Sequence, residues 1–167
     1  MIMKQKRLHA HIVGAGFGGI YQLYKLREMG LSVKAIDTAG GVGDTWSWNH
    51  YPGAMSDAES YVYRYSWNKK ELQNYPWVHH YAKQPDVLAY LDHVGEKHDL
   101  RKNIQFNTEL LGADWDHEIN LWRIDLSTGL VLMVRYLVTA LGLLTKANYP
   151  DAAGINWFKG EMCHTAA

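Results

Sequence analysis

Three glycines and one carboxylate pose the first chemical question. Gly14, Gly16 and Gly19 stand in GxGxxG spacing within "LHAHIVGAGFGGIYQLYKLREMGLSVKAID", and Asp37 closes that run. Between a strand and a helix, each glycine has a physical task. Gly14 permits the tight turn, Gly16 lets a pyrophosphate approach the backbone, and Gly19 lets helix and strand pack closely. The free N–H groups and the dipole at the helix start favour phosphate there. Asp37 can accept hydrogen bonds from both ribose hydroxyls of an adenosine. Its charge opposes a 2′-phosphate, so the pattern favours FAD or NAD over NADP. GxGxxG alone also marks a glycine-rich turn in any α/β protein. Strand, turn, helix, strand and terminal acid in register favour the dinucleotide reading.

The elements that must position these residues follow from periodicity. A short β run ends at Val13, and Ile20, Leu23, Tyr24 and Leu26 recur at helical spacing before Gly30, a C-terminal stop. "LSVKAID" reads as the second strand. The stretch "GDTWSWNHYPGAMSDAES" is too aperiodic for a helix and too aromatic for an ordinary loop. "YVYRYSW" alternates Tyr61, Tyr63 and Tyr65, which predicts an extended segment with its tyrosines on one face. A helix is predicted where Pro85 precedes the apolar stripe Val87, Leu88, Leu91 and Val94. "IQFNTELLGADWD", "NLWRIDL" and "LVLMVRYLVTALG" predict a three-stranded antiparallel β-meander ending on a buried strand, "YLVTALG". The tail, with Pro150 and Gly154, reads as irregular connector. The fold class is α/β.

Composition narrows the function. At 167 residues the chain suits one domain, and its 17 basic and 17 acidic side chains cancel, which disfavours nucleic acid and anionic membranes as partners. One cysteine, Cys163, leaves no intrachain disulfide and fits a reducing cytoplasm. No apolar h-region follows the basic start, and no run reaches membrane-span length, so the expectation is a soluble intracellular protein. The nine histidines, among them His9 and His11, His79 and His80, His93 and His98, lack metal-ligand spacing and read as surface or core residues, with no metal expected.

With these residues in place, the chain resembles the N-terminal FAD-binding part of the Baeyer–Villiger monooxygenases, class B flavoproteins of the cyclohexanone monooxygenase kind. The likeness rests on GxGxxG, the terminal acid, "GGVGDTWSWNHYPGAMSDAESYVYRYS", the meander, "VTALG", and Phe158, Gly160 and His164 as the start of an F-x-G-x-x-x-H fingerprint. It implies a Rossmann-like FAD-binding domain over residues 1–150, with a parallel sheet and the meander. It also implies a linker beginning over 151–167 toward an NADP-binding domain not contained here, making the chain a truncated two-dinucleotide-binding flavoprotein. By resemblance, Gly14, Gly16, Gly18, Gly19 and Asp37 hold FAD, Thr45, Trp46, Ser47, Trp48 and Tyr63 line it, and Leu110 lies beside the adenine. Asp57 lies near flavin and nicotinamide as the catalytic candidate. His164 serves the connection between domains. Large rigid aromatics suit a flat apolar ring system. Without the upstream motif the same aromatics would read as ordinary core, and Asp57 as a turn or capping residue.

The implied activity is NADPH-dependent insertion of oxygen into a ketone, giving an ester or lactone. A second chain could supply the NADP-binding part. Two alternatives stay open: a noncatalytic remnant or interaction module, and the FAD half of an N- or S-oxidising flavin monooxygenase, against which the motif around Trp46 and Asp57 argues. The chain departs from the family at Asp44, where a glycine is expected before Thr45 and Trp46. A carboxylate there intrudes on the flavin or repels its pyrophosphate if it points inward. Ala147 and Ala153 replace prolines after "TALG", which loosens the connector.

Overall fold

A computed structural model describes residues 7–144 and 146–164. The basic start before residue 7 and the last three residues lie outside the described residues. Strand β1 (Arg7–Val13) leads through the glycine turn into helix α1 (Phe17–Glu28) and back along strand β2 (Val33–Ile36). The end of α1 follows from Gly30, whose φ of 77° lets its N–H donate to the Arg27 carbonyl at 2.9 Å while the Leu31 N–H reaches the Leu26 carbonyl at 3.1 Å. One helical turn, α2 (Thr45–Trp48), precedes strand β3 (Met55–Glu59) and helix α3 (Lys69–Asn74), whose first turn is capped by the Asn68 side chain. Strand β4 (Tyr81–Lys83) runs straight into helix α4 (Gln84–Lys97), where Pro85 sits in the first turn and Asp86 accepts the Lys83 N–H. Then come strands β5 (Ile104–Gln105), β6 (Leu110–Asp116), β7 (Leu121–Leu126) and β8 (Val131–Thr139).

One six-stranded sheet carries the order β5-β2-β1-β8-β7-β6, and β3 pairs with β4 in a small antiparallel sheet. The pairs β5–β2, β2–β1 and β1–β8 are parallel; β8–β7 and β7–β6 are antiparallel. The meander and the parallel sheet therefore share β8, whose first residues pair with β7 and whose remainder runs beside β1. Two apolar clusters hold the layers. One joins Ala10 and Ile12 of β1 to Ile20 and Leu23 of α1 and to Tyr90, Leu91 and Val94 of α4. The other joins Val13 and Ile36 to Ile124, Leu126, Leu132 and Val134.

Four local expectations are corrected. The aromatic stretch is not wholly irregular, since it contains α2 and β3. Tyr61 to Tyr65 is a turn, closed by the Val62 and Tyr63 N–H groups donating to the Glu59 carbonyl, and it scatters its tyrosines: Tyr61 is exposed and Tyr65 buried. "IQFNTELLGADWD" is two strands on opposite edges of the sheet. Asn107, at φ 51°, reverses the chain between them, and the Thr108 N–H ties it to the Asp37 carbonyl at 2.9 Å. "YLVTALG" is not buried: beyond Val134, β8 loses β7 as a neighbour, and Tyr136 and Leu141 are half exposed.

His11, in the middle of β1, is 1% exposed, and neither ring nitrogen has a hydrogen-bond partner among the described residues. Burial pulls its pKa from 6.5 down to about 4. Between those values the unfolded chain binds a proton that the folded one refuses, so stability falls as pH falls through this window. His11→Leu is expected to remove roughly 2 kcal/mol of the stability difference between pH 7 and pH 4.5, read from urea unfolding at both pH values. Equal acid sensitivity in both proteins contradicts this.

Candidate cofactor-binding site

The carboxyl ends of β1, β2 and β8 open onto a crevice, the place where open α/β sheets bind ligands. Gly14 makes the turn at φ 104°, and a Cβ there would lie 2.3 Å from the Ala140 carbonyl oxygen that follows β8. Gly19 seats α1 against that turn, its Cβ position only 1.9 Å from the Gly14 carbonyl oxygen. Gly16 caps α1 without a side chain, so the helix N-terminus has no side-chain cap.

Asp37 is 5% exposed at the end of β2. Its Oδ2 accepts the Ala15 N–H at 2.6 Å and its Oδ1 the Ala39 N–H at 2.8 Å. One acid thus locks the glycine turn to the second strand. Each oxygen retains spare acceptor capacity, and Asp37 lines the crevice.

The crevice holds three neighbouring compartments that share wall residues. The first, about 260 Å³, is lined by Gly14, Asp37, Thr38, Asp44, Thr108 and Leu110. The second, about 220 Å³, lies between Gly16, Phe17, Gly18, Asp44, Trp46 and Tyr63. The third, about 570 Å³, runs past Thr45, Trp46, Tyr51, Asp57, Tyr63 and Leu143. The first is a polar-ended slot of nucleoside size, and the other two have aromatic walls. The Trp46 indole donates to the Tyr63 hydroxyl at 3.0 Å, and the Gln84 side chain holds the Trp46 carbonyl at 2.5 Å. Tyr63 packs on Phe17 with ring centroids 4.6 Å apart. Burial raises the Tyr63 pKa, and nearby Asp57 adds to this against the indole bond. Behind them Tyr65 stacks on Trp67 at 4.0 Å and donates to the Phe17 carbonyl at 2.8 Å, while the Tyr90 hydroxyl accepts the Tyr65 N–H at 2.8 Å.

Most of the expected residues meet here: Gly14, Gly16, Gly18, Asp37, Thr45, Trp46, Asp57, Tyr63 and Leu110. Gly19 acts one layer behind, through packing. Ser47 and Trp48 line none of the three compartments, and Trp48 is 45% exposed. Phe17, Thr38, Thr108, Ala140 and Leu141 also line the crevice and were not expected. Phe17 could have been found from its place inside the glycine motif. Thr108 and Leu141 carry no local signal, because the fold alone brings them there.

Asp44 stands where the first two compartments meet. Its backbone has φ 46° and ψ −110°, uncommon for a residue with a side chain, and its carbonyl accepts the Ser47 and Trp48 N–H groups. Its Cβ lies 2.8 Å from the position a Gly16 Cβ would take. Burial, then the neighbouring Asp37 charge, pushes its pKa from 3.8 up to about 6. The cradle therefore fits a dinucleotide at both ends, with one carboxyl at the crossing.

Among the described residues, no three or more His, Cys, Asp or Glu are gathered to hold a metal ion, and no helix is long and apolar enough to cross a membrane. Several histidines face acids instead: His79 meets Asp86 at 2.7 Å, His80 meets Glu59 at 3.0 Å, and His98 meets Glu71 at 2.9 Å.

No protein-family model matches the chain. It is 46% identical over 159 residues to a Baeyer–Villiger monooxygenase of Pseudooceanicola batsensis, covering 95% of this chain and 29% of that protein. It is equally identical, over the same length and the same shares, to the phenazine N-monooxygenase PhzNO1 of Lysobacter antibioticus. Cyclohexanone monooxygenase from Rhodococcus sp. Phi1, solved with NADP+, superposes with a TM-score of 0.90 at 44% identity, over 98% of this chain and 31% of that one. OTEMO, solved with FAD and NADP, gives 0.87 at 37% over 98% and 31%. The chain is homologous to monooxygenases that include Baeyer–Villiger and cyclohexanone monooxygenases, and it spans about three tenths of the length of the curated relatives it matches.

Proposed function

We propose that this homologue of the Baeyer–Villiger monooxygenases is the FAD-cradling portion of an NADPH-dependent flavoprotein that inserts oxygen into ketones to give esters or lactones. What supports the reading most is the row of adjacent compartments, sharing walls, from the buried acid Asp37, past the uncapped start of α1, to the Trp46–Tyr63 pair. Residues 1–150 form the FAD-binding domain, and 151–167 begin a linker toward an NADP-binding part carried elsewhere, by further chain or by a second polypeptide. When bound, FAD supplies the electron transfer and oxygen chemistry, with NADPH as reductant.

The chain's own residues bind, orient and shield. Asp37 holds the ribose and Leu110 flanks the adenine. Gly14, Gly16 and Gly18 leave backbone room for the diphosphate, and Gly19 fixes the helix that faces it. Thr45, Trp46 and Tyr63 wall the ring system, with Ser47 and Trp48 on the same helical turn, and Asp57 presents its carboxylate at the far compartment. The partner of the complete enzyme is a small ketone. A balanced charge gives no field for nucleic acid or membrane, and a single cysteine suits the cytoplasm.

Purified protein is expected to take up close to one FAD per chain, read from flavin absorbance after gel filtration, and Trp46→Ala to weaken uptake about tenfold. A protein that stays colourless with excess FAD at every pH points to a noncatalytic remnant or interaction module. Because the sequence holds one GxGxxG motif, the 167-residue protein alone is expected to consume no NADPH in a ketone-dependent way. N-oxidation is the second reading, favoured by the match to a phenazine N-monooxygenase. Supplying the NADP-binding part and comparing a cyclic ketone with an aromatic N-heterocycle separates the two.

A further inference from the structure

Asp44 sits where a dinucleotide must pass from its nucleoside to its ring compartment, since it is shared by the linings of both. Its side chain lies over Gly16, whose missing Cβ would sit 2.8 Å from the Asp44 Cβ. A diphosphate approaching the bare backbone of Gly16 therefore meets a carboxyl group. The surroundings do not neutralise it. The Asp37 charge acts on it from the end of β2; Glu109 lines the first compartment with it and Tyr63 the second, while the residues lining the two compartments include no Lys, Arg or His. Among the described residues that line the two compartments, the positive feature is the uncapped start of α1, the same feature a phosphate would use. The short turn α2, whose Ser47 and Trp48 amides donate to the Asp44 carbonyl, fixes the residue in its unusual backbone conformation.

We propose that Asp44 makes admission of a diphosphate to this crevice conditional on its own protonation: the neutral carboxyl accommodates the bridging phosphates and donates to them, whereas the carboxylate resists them. This rests on the crevice being an FAD site. It adds that the site's occupancy is proton-linked, so that this chain loads FAD in mildly acidic conditions and releases it as pH rises. The direction follows from linkage. A ligand that selects the protonated form loses affinity above the pKa of the empty site, by up to tenfold per pH unit. The raised Asp44 pKa, about 6, puts that loss between pH 6 and pH 8.

The test is FAD titration of the full chain, followed by quenching of flavin fluorescence, from pH 5.5 to pH 8. Wild type is expected to weaken by up to about 100-fold between pH 6 and pH 8. Asp44→Asn and Asp44→Gly are expected to bind FAD at pH 8 about as tightly as wild type does at pH 6, with flat profiles. Calorimetry in two buffers of different ionisation enthalpy gives a readout independent of the variants: near pH 7, wild type should take up close to one proton per FAD bound. A proton uptake of zero overturns the proposal, as do parallel pH profiles in all three proteins, and both leave the FAD site itself standing. Failure of all three to bind FAD at any pH overturns the FAD reading and the proposal together.

Discussion

Gly19→Ala is expected to cost about 4 kcal/mol of folding stability, a large share of the roughly 5–15 kcal/mol that holds a domain together. The added Cβ would lie 1.9 Å from the Gly14 carbonyl oxygen and 2.8 Å from its carbon. Both are backbone atoms and cannot rotate aside. Nor can Gly14 retreat, because its own Cβ position is 2.3 Å from the Ala140 carbonyl oxygen and the Ala140 N–H is bonded to the Val13 carbonyl at 2.8 Å. Helix α1 must therefore lift off the sheet, loosening Ile20 and Leu23, which are fully buried beneath it. Overpacking costs 1–3 kcal/mol where side chains can adjust, and a backbone-to-backbone collision exceeds that. Gly41→Ala is the control: nothing lies within 4 Å of its Cβ position and its φ is not in the left-handed region. It should stay within about 0.5 kcal/mol of wild type. Urea unfolding midpoints decide the matter, and a Gly19→Ala protein within 1 kcal/mol of wild type contradicts the packing argument.

The same close packing explains which features could be read from sequence. From β1 through α1 to β2, every boundary is set by a residue whose local geometry is nearly compulsory: Gly14 in the turn, Gly30 at the helix end, Asp37 where the strand stops. Such signals survive without knowledge of the rest of the chain. Alternating tyrosines are weaker, because alternation states a face only if a partner strand exists, and at Tyr61 to Tyr65 the Glu59 carbonyl captures the chain into a turn instead. The division of "IQFNTELLGADWD" between two sheet edges depends on Asn107 adopting φ 51°, which asparagine tolerates but does not announce. Within the crevice, Asp37 and Trp46 were legible, one from spacing and one from its motif. Thr108 and Leu141 were not, because they reach Asp37 through sheet order across about 70 and about 100 residues of chain. Asp44 was visible as an anomaly of residue type, but its place between two compartments is a property of the folded turn.

Asp37→Ala is expected to cost about 3 kcal/mol of stability and to weaken FAD binding at least tenfold. The carboxylate is 5% exposed and accepts from the amides of Ala15 and Ala39, themselves 1% and 3% exposed. Alanine strips both amides of their acceptor in a place water reaches poorly, at about 1–3 kcal/mol each. The main-chain groups of Asp37 hold the chain crossing at Gln105 and Thr108, and they survive the substitution. The loss is therefore local to the glycine turn, not a failure of the sheet. Asp37→Asn keeps one acceptor and presents an NH2 to a donor, so it should lose less stability, about 1–2 kcal/mol. It also removes the anion beside Asp44. Burial, the larger cause of the raised Asp44 pKa, remains, and the smaller, Coulombic cause goes. The midpoint of the pH dependence of FAD binding should then move to lower pH in Asp37→Asn, whereas a carboxylate serving only to fold the turn would lower stability and leave that midpoint where it is. Urea unfolding and FAD titration on the same preparations distinguish the two roles, because packing determines the first measurement and charge the second.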